Sequence, residues 1–323
     1  MSASPVLPDR PQRKRPLGWI IAAAVVVLAI IVAVVVVAVR GGGSDQPGAA
    51  GSGSDQKAQK AQTVTIGVAD KALPYWKTYT ALAKQRRNVT VKLTNFADYS
   101  LPNPALKDGQ VDINQFQHIQ YLANYNVTAK DDLQPIGSTA VYPLPLYATK
   151  YDKPSAIPEG AKVAIPNDAI NEARALLVLQ SAKLIELRDG GSAFSTTDDI
   201  TSHEVDVQPL DASQTANALQ QGSVAAAVVN NNFATAAGLP ASDKVFTDDP
   251  SSSSAAPYVN VFAVRDEDKD NATYLDLAKL FQDSAVQKDF TKDYPDAVAR
   301  DEKASALQDE LATVERDAKA AAE

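Results

Sequence analysis

Hydrophobic positions fall into three regimes along the chain. Residues 17–39 form an unbroken apolar run with no polar face, and residues 41–62 (GGGSDQPGAAGSGSDQKAQKAQ) carry almost no large apolar side chain. From Val64 onward, short β-branched runs alternate with stretches of helical spacing. Each regime predicts a different kind of structure.

The first run, Leu17 to Val39, follows Arg10, Arg13, Lys14 and Arg15 and is closed by Arg40. A helix of that length, rising 1.5 Å per residue, is long enough to cross a hydrocarbon core of about 30 Å. The excess of basic residues before it predicts a cytoplasmic tail over residues 1–16 and an extracytoplasmic remainder. A cleaved signal would have a shorter apolar core and a small-residue cleavage site, so a retained single-pass transmembrane anchor is expected. Residues 40–62 then read as a flexible Gly/Ser linker, spanning roughly 25 Å as a random coil.

The third regime predicts strands at 64–68, 89–93, 111–114, 144–148, 162–165, 205–207, 225–229 and 258–264. Helices are predicted at 75–85, near Pro104, at 116–125, 169–185, 214–221 and over 302–323. Strands alternating with helices imply α/β architecture with a largely parallel sheet covered on both faces. The pattern restarts near residue 144, which predicts two lobes over residues 63–323. Lobe 1 is expected at about 63–143 and 256–323, and lobe 2 at about 144–255, with a ligand cleft near the carboxyl ends of the strands. The last helix carries a sparse apolar stripe at Ala306, Leu307, Leu311 and Val314, consistent with packing on a lobe or with a frayed tail.

Charge and composition narrow the function. The formal net charge is -8, and residues 1–40 contribute five bases and Asp9, so residues 41–323 carry -12. An exported domain that acidic is a poor partner for nucleic acid or an anionic membrane surface. The absence of cysteine excludes disulfides, thiolate metal sites and cysteine nucleophiles. No metal-ligand spacing, nucleophile motif or paired-carboxylate pattern is present, so neither a metal nor a cofactor is expected, and an enzyme is disfavoured.

Two clusters carry candidate chemistry. Around Pro166-Asn167-Asp168, Asp168 would cap a helix that places Asn171 and Arg174 on one face of its first turns. A guanidinium beside free helix N–H groups suits a carboxylate. Arg174 could instead be a surface arginine paired with Glu172 or another acid. Within 95–125, Phe116, His118 and Tyr121 could converge on a cleft as aromatic walls with one polar contact, although His118 could equally be a core histidine. Asn230, where an apolar strand ends, could accept from an ammonium group or be part of an ordinary polar turn. Asp112 and Asn114 are read as structural first.

Taken with their spacing, several segments resemble the NlpA-type, methionine-binding lipoproteins of bacterial ABC importers. They are Phe96-Ala97-Asp98-Tyr99-Ser100-Leu101-Pro102-Asn103, Asp112-Ile113-Asn114-Gln115-Phe116-Gln117-His118, Pro166-Asn167-Asp168 with Asn171 and Arg174, Ala227–Asn230 and Pro257–Asn260. The likeness spans roughly 63–300. It implies a type II periplasmic-binding-protein-like fold closing over one amino acid, expected to be L-methionine or a related amino acid. It also implies that Arg174 holds the carboxylate with Asn171 in support, and that Asn230 holds the ammonium. Tyr99, Phe116, His118 and Tyr121 would line the side-chain pocket. The implied partners are an ABC permease and its ATPase, with a ligand sensor on the same fold as the alternative. Three features depart from the family: the apolar span in place of a lipidated cysteine, Glu172-Ala173 before Arg174, and the extended C-terminal helix.

Overall fold

The computed structural model describes residues 62–321, apart from the side chains of Ser253 and Ser254. The predicted tail, anchor and all but the end of the linker lie outside the described residues. No described helix is long and apolar enough to cross a membrane.

The chain begins in lobe 1 with β1 (Gln62–Val68), α1 (Pro74–Arg87), β2 (Val89–Asn95), α2 (Pro102–Lys107), β3 (Ile113–His118), α3 (Ile119–Ala129) and β4 (Gln134–Val141). It crosses to lobe 2 for β5 (Pro145–Tyr147), β6 (Ala161–Pro166), α4 (Ala169–Ser181), β7 (Ile185–Leu187), β8 (Ile200–His203), β9 (Val205–Leu210), α5 (Ala212–Gln220), β10 (Ala226–Val228), α6 (Asn231–Ala236) and β11 (Lys244–Thr247). It returns to lobe 1 with β12 (Val259–Val264), α7 (Ala272–Leu280), α8 (Ser284–Asp293), β13 (Val298–Ala299) and α9 (Ala304–Ala321).

Lobe 1 is built on a six-stranded sheet of order β13-β4-β12-β3-β1-β2, and lobe 2 on a five-stranded sheet of order β11-β5-β10-β6-β9. Both sheets are mixed rather than largely parallel. In lobe 1, β1 pairs in parallel with β2 and β3, whereas β12 is antiparallel to both β3 and β4. The reason is the crossover: the returning strand enters between elements laid down before the chain left.

Helices cover both faces of each sheet, so central strands are buried on both sides, as in Val259–Val264, which is buried throughout. One core of lobe 1 packs Tyr75, Trp76 and Tyr79 of α1 against Phe262, Phe281 and Phe290. The opposite face buries Ile119 and Leu122 with Leu307, Leu311 and Val314 of α9. The terminal helix is therefore a packed layer of lobe 1, and Asn126 Nδ2 ties it to α3 by donating to Glu315 Oε1 at 2.8 Å. Its buried stripe is Leu307, Leu311, Val314 and Ala318; Ala306 is exposed. Gly67 of β1 has a packing reason, since a Cβ there would sit 2.9 Å from Cε2 of Phe96.

Two predicted helices end elsewhere. Phe116, Gln117 and His118 belong to β3, where Gln117 and His118 pair with Val261 and Asn260, and the helix starts only at Ile119. The helix from Ala169 stops at Ser181, because Lys183 takes a left-handed φ of 62° and Leu184 N turns back to Leu179 O at 3.0 Å. Ile185 then opens a strand.

Candidate functional site

A single cavity at the junction of the lobes is lined by Tyr99, Phe116, His118, Tyr121, Asn171, Arg174 and Asn230 together. Residues read from separate segments of sequence thus share one space. Each is placed by local chemistry that can be followed from the backbone.

On the lobe 2 side, Asp168 caps α4: Oδ1 accepts from the Asn171 backbone N–H at 3.0 Å. Both carboxylate oxygens also accept from Asn171 Nδ2 at 3.0 Å. A carboxylate can only accept, so the Asn171 amide is oriented with its nitrogen toward Asp168 and its oxygen outward. That oxygen receives Asn230 Nδ2 at 2.9 Å. The relay leaves Asn230 Oδ1 as a buried acceptor with no partner among the described residues. Burial raises the Asp168 carboxyl, and the hydrogen bonds from Asn171 oppose that shift.

On the lobe 1 side, His118 closes β3 and caps α3, its Nδ1 accepting from the Tyr121 N–H at 3.2 Å. An accepting Nδ1 puts the proton of the neutral ring on Nε2, which is buried and without a partner among the described residues. Burial first, and the Arg174 charge second, lower the His118 pKa to about 3. The ring is therefore neutral at physiological pH and offers one N–H donor. Unfolded, the ring titrates near 6.5 and binds more protons than the folded form between about pH 3 and 6.5. Its contribution to stability is complete above pH 6.5 and declines as pH falls toward 3. His118→Gln should flatten that part of the curve of unfolding free energy against pH, measured by urea denaturation; an unchanged slope would contradict the burial of a neutral ring.

Arg174 is buried and paired, although not with Glu172, which accepts from the Thr197 N–H instead. Its Nε and Nη2 donate to Asp248 Oδ2 at 3.0 and 2.7 Å, and Nη2 also donates to Tyr142 O at 2.7 Å. Its Cζ lies 4.4 Å from the centre of the Tyr258 ring. Nη1 makes no hydrogen bond among the described residues.

The remaining wall is aromatic. Tyr99 lies 6.0 Å from Phe116, 6.3 Å from Tyr121 and, across the cleft, 5.1 Å from Phe233, measured between ring centres. The Tyr99 hydroxyl donates to Asn232 Oδ1, and Lys244 and Asp296 form a second cross-lobe contact at 2.5 Å. Behind the wall, Asn103, Asn114 and Gln117 form a buried amide triad. Asn103 Nδ2 donates to Gln117 Oε1 at 2.8 Å, while Asn103 Oδ1 accepts from Asn114 at 2.8 Å and from Gln117 at 2.6 Å. This fastens the segment bearing Tyr99 to the strand bearing Phe116 and His118. Asp112 is likewise structural, accepting from the Thr65 N–H at 2.7 Å.

Sequence reading missed Asp70, Tyr142, Asn260 and Tyr294, which line the cavity, and Asp248, which holds Arg174. Asp70 accepts from Tyr75, Trp76 and Tyr294 at 2.7–2.9 Å, and desolvation still raises its carboxyl. Its position just after β1, where a strand ends at the cleft, was the available signal.

Two mixed α/β lobes joined by two crossovers, with a partly open cavity at their junction, define a periplasmic-binding-protein-like fold. A relative from Pasteurella multocida, described as a probable D-methionine-binding lipoprotein MetQ, is 34% identical over 79% of this chain and 91% of its own length. A crystal structure of a Staphylococcus aureus protein matches with a TM-score of 0.72 and 37% identity over 77% of this chain and 99% of that one. A nutrient-binding protein from Burkholderia cenocepacia, solved bound to methionine, matches with a TM-score of 0.68 and 34% identity over 73% and 99%. The family model of the NlpA lipoproteins matches residues 64–301, and the chain belongs to that family.

Proposed function

We propose that this protein is the solute-binding component of an ABC importer, capturing methionine and handing it to a permease with its ATPase. The observation that carries the reading is the set of polar atoms left open at the cavity. Asn230 Oδ1 can only accept, while the His118 Nε2–H and the Arg174 Nη1 can only donate. An acceptor, a neutral donor and a guanidinium lining one cavity complement a zwitterion, the ammonium on Asn230 and the carboxylate on Arg174, with Asn171 in support. The aromatic wall of Tyr99, Phe116 and Tyr121 beside His118 suits a polarizable thioether. The relative from Pasteurella multocida is described as a probable D-methionine-binding lipoprotein, and the one from Burkholderia cenocepacia was solved bound to methionine, which supports the same assignment. In this reading the protein is a carrier and not an enzyme. It is held at the cell membrane by Leu17 to Val39, with residues 1–16 cytoplasmic and residues 63–323 extracytoplasmic. No observation favours the sensor alternative.

The test is calorimetric titration of the full-length protein in mild detergent, stripped of carried-over ligand, with L-methionine, D-methionine and other apolar amino acids. Saturable binding of methionine, recovered unchanged after long incubation, is the expected result. Absence of binding by either enantiomer would overturn the assignment, and turnover of the ligand would overturn the carrier reading.

A further inference from the structure

Asp248 follows β11 at the start of the second crossover, and its two oxygens do different work. Oδ2 accepts from Nε and Nη2 of Arg174, while Oδ1 accepts from the Leu144 N–H of the first crossover at 2.6 Å. One carboxylate therefore ties the two crossovers together and fixes the guanidinium on its Nε edge. The plane of Arg174 is further set by Tyr142 O and the face of Tyr258. Only Nη1 is left for a ligand.

The charge balance of the site follows from this pairing. Arg174 is the only lysine or arginine among the described residues lining the cavity, and Asp248 offsets it. The other charged lining group is Asp70, an acid, and Asp168 stands behind Asn171. A carboxylate entering alone would meet a cation already neutralised and further negative charge nearby. A carboxylate accompanied by an ammonium on Asn230 Oδ1 meets a matched set.

We infer that Asp248 is the positioning residue that aims Arg174 and makes the site select zwitterions over simple anions. The inference rests on Arg174 as the carboxylate clamp. Asp248→Asn removes the charge but keeps an oxygen able to accept from Leu144, so the crossover tie survives.

The experiment compares L-methionine with 4-(methylthio)butanoate, which is methionine without its ammonium, on full-length wild-type and variant protein. Wild type should reject the anion by at least about 100-fold, because Asn230 would be left unpaired and Arg174 is already offset. Asp248→Asn should weaken methionine by about tenfold and narrow the ratio by a similar factor, because a hydrogen-bonded charge partner has been lost. Asp248→Glu, which keeps the charge, should restore most of the ratio. A folded Asp248→Asn protein with wild-type affinity and wild-type ratio would overturn the role while leaving methionine binding intact. If that variant fails to fold, the wild-type ratio decides, and equal binding of the two ligands overturns the inference. Wild-type protein that ignores methionine would remove the reading of Arg174 and the inference with it.

Discussion

Arg174→Ala is expected to weaken methionine binding by about 100-fold or more, the loss that follows when one partner of a desolvated charge pair is removed. The substitution deletes the proposed carboxylate partner, the one lysine or arginine among the described residues lining the cavity, and releases both crossovers from the guanidinium. Its cost to stability should be smaller, because the Asp248 side chain is 29% exposed and can take up water once unpaired. Arg174→Lys separates charge from geometry. An ammonium on a flexible stem cannot hold Asp248 by two nitrogens and reach Tyr142 O at the same time, so it should recover only part of the affinity. Calorimetry on the three proteins, with thermal melts alongside, checks both effects; full affinity in Arg174→Ala would place the carboxylate elsewhere.

The second large effect belongs to the amide triad. Asn103→Ala strips Gln117 Oε1 of its donor and leaves Asn114 Nδ2 without its 2.8 Å acceptor, all in a buried setting. Unsatisfied buried polar groups cost about 1–3 kcal/mol each, so a loss of roughly 2–4 kcal/mol in unfolding free energy is expected from urea melts. Affinity should fall as well, since the triad joins the Tyr99 segment to β3. A variant that melts and binds like wild type would show that the network reorganises or that water replaces the lost amide.

The seven candidate residues that one cavity brings together were legible because each stands in a segment whose residue types are unusual for a core: a capping Asp-x-x-Asn, aromatics and amides around a histidine, and an asparagine just past an apolar run. Tertiary partners were less legible. Asp248 is one of two adjacent acids in Thr247-Asp248-Asp249, and only the fold brings it to Arg174, 74 residues away in sequence. β4 was not read as a strand because its sequence, QPIGSTAV, holds both a proline and a glycine. The fold accommodates them through register shifts against β12 and the close approach of Ala278 to Gly137. The reading of Phe116 to Tyr125 as one helix failed at His118, where strand pairing with β12 overrides local propensity and the histidine serves as the boundary.

The strand order of lobe 1 bears on biosynthesis. β12 lies between β4 and β3, so the two halves of the sheet made first are not hydrogen-bonded to each other until residues 259–264 arrive. Lobe 2, by contrast, is one continuous stretch from β5 to β11. As the chain is made from its N-terminus, lobe 2 can close before lobe 1 has its central strand, and the cores fed by α7, α8 and α9 must wait longer still. Lobe 1 is thus the half with the longer-range strand pairings, the kind that slows folding. A chain truncated before residue 259 would present β3 and β4 as two unpaired edges, the kind of surface that proteases and chaperones meet first.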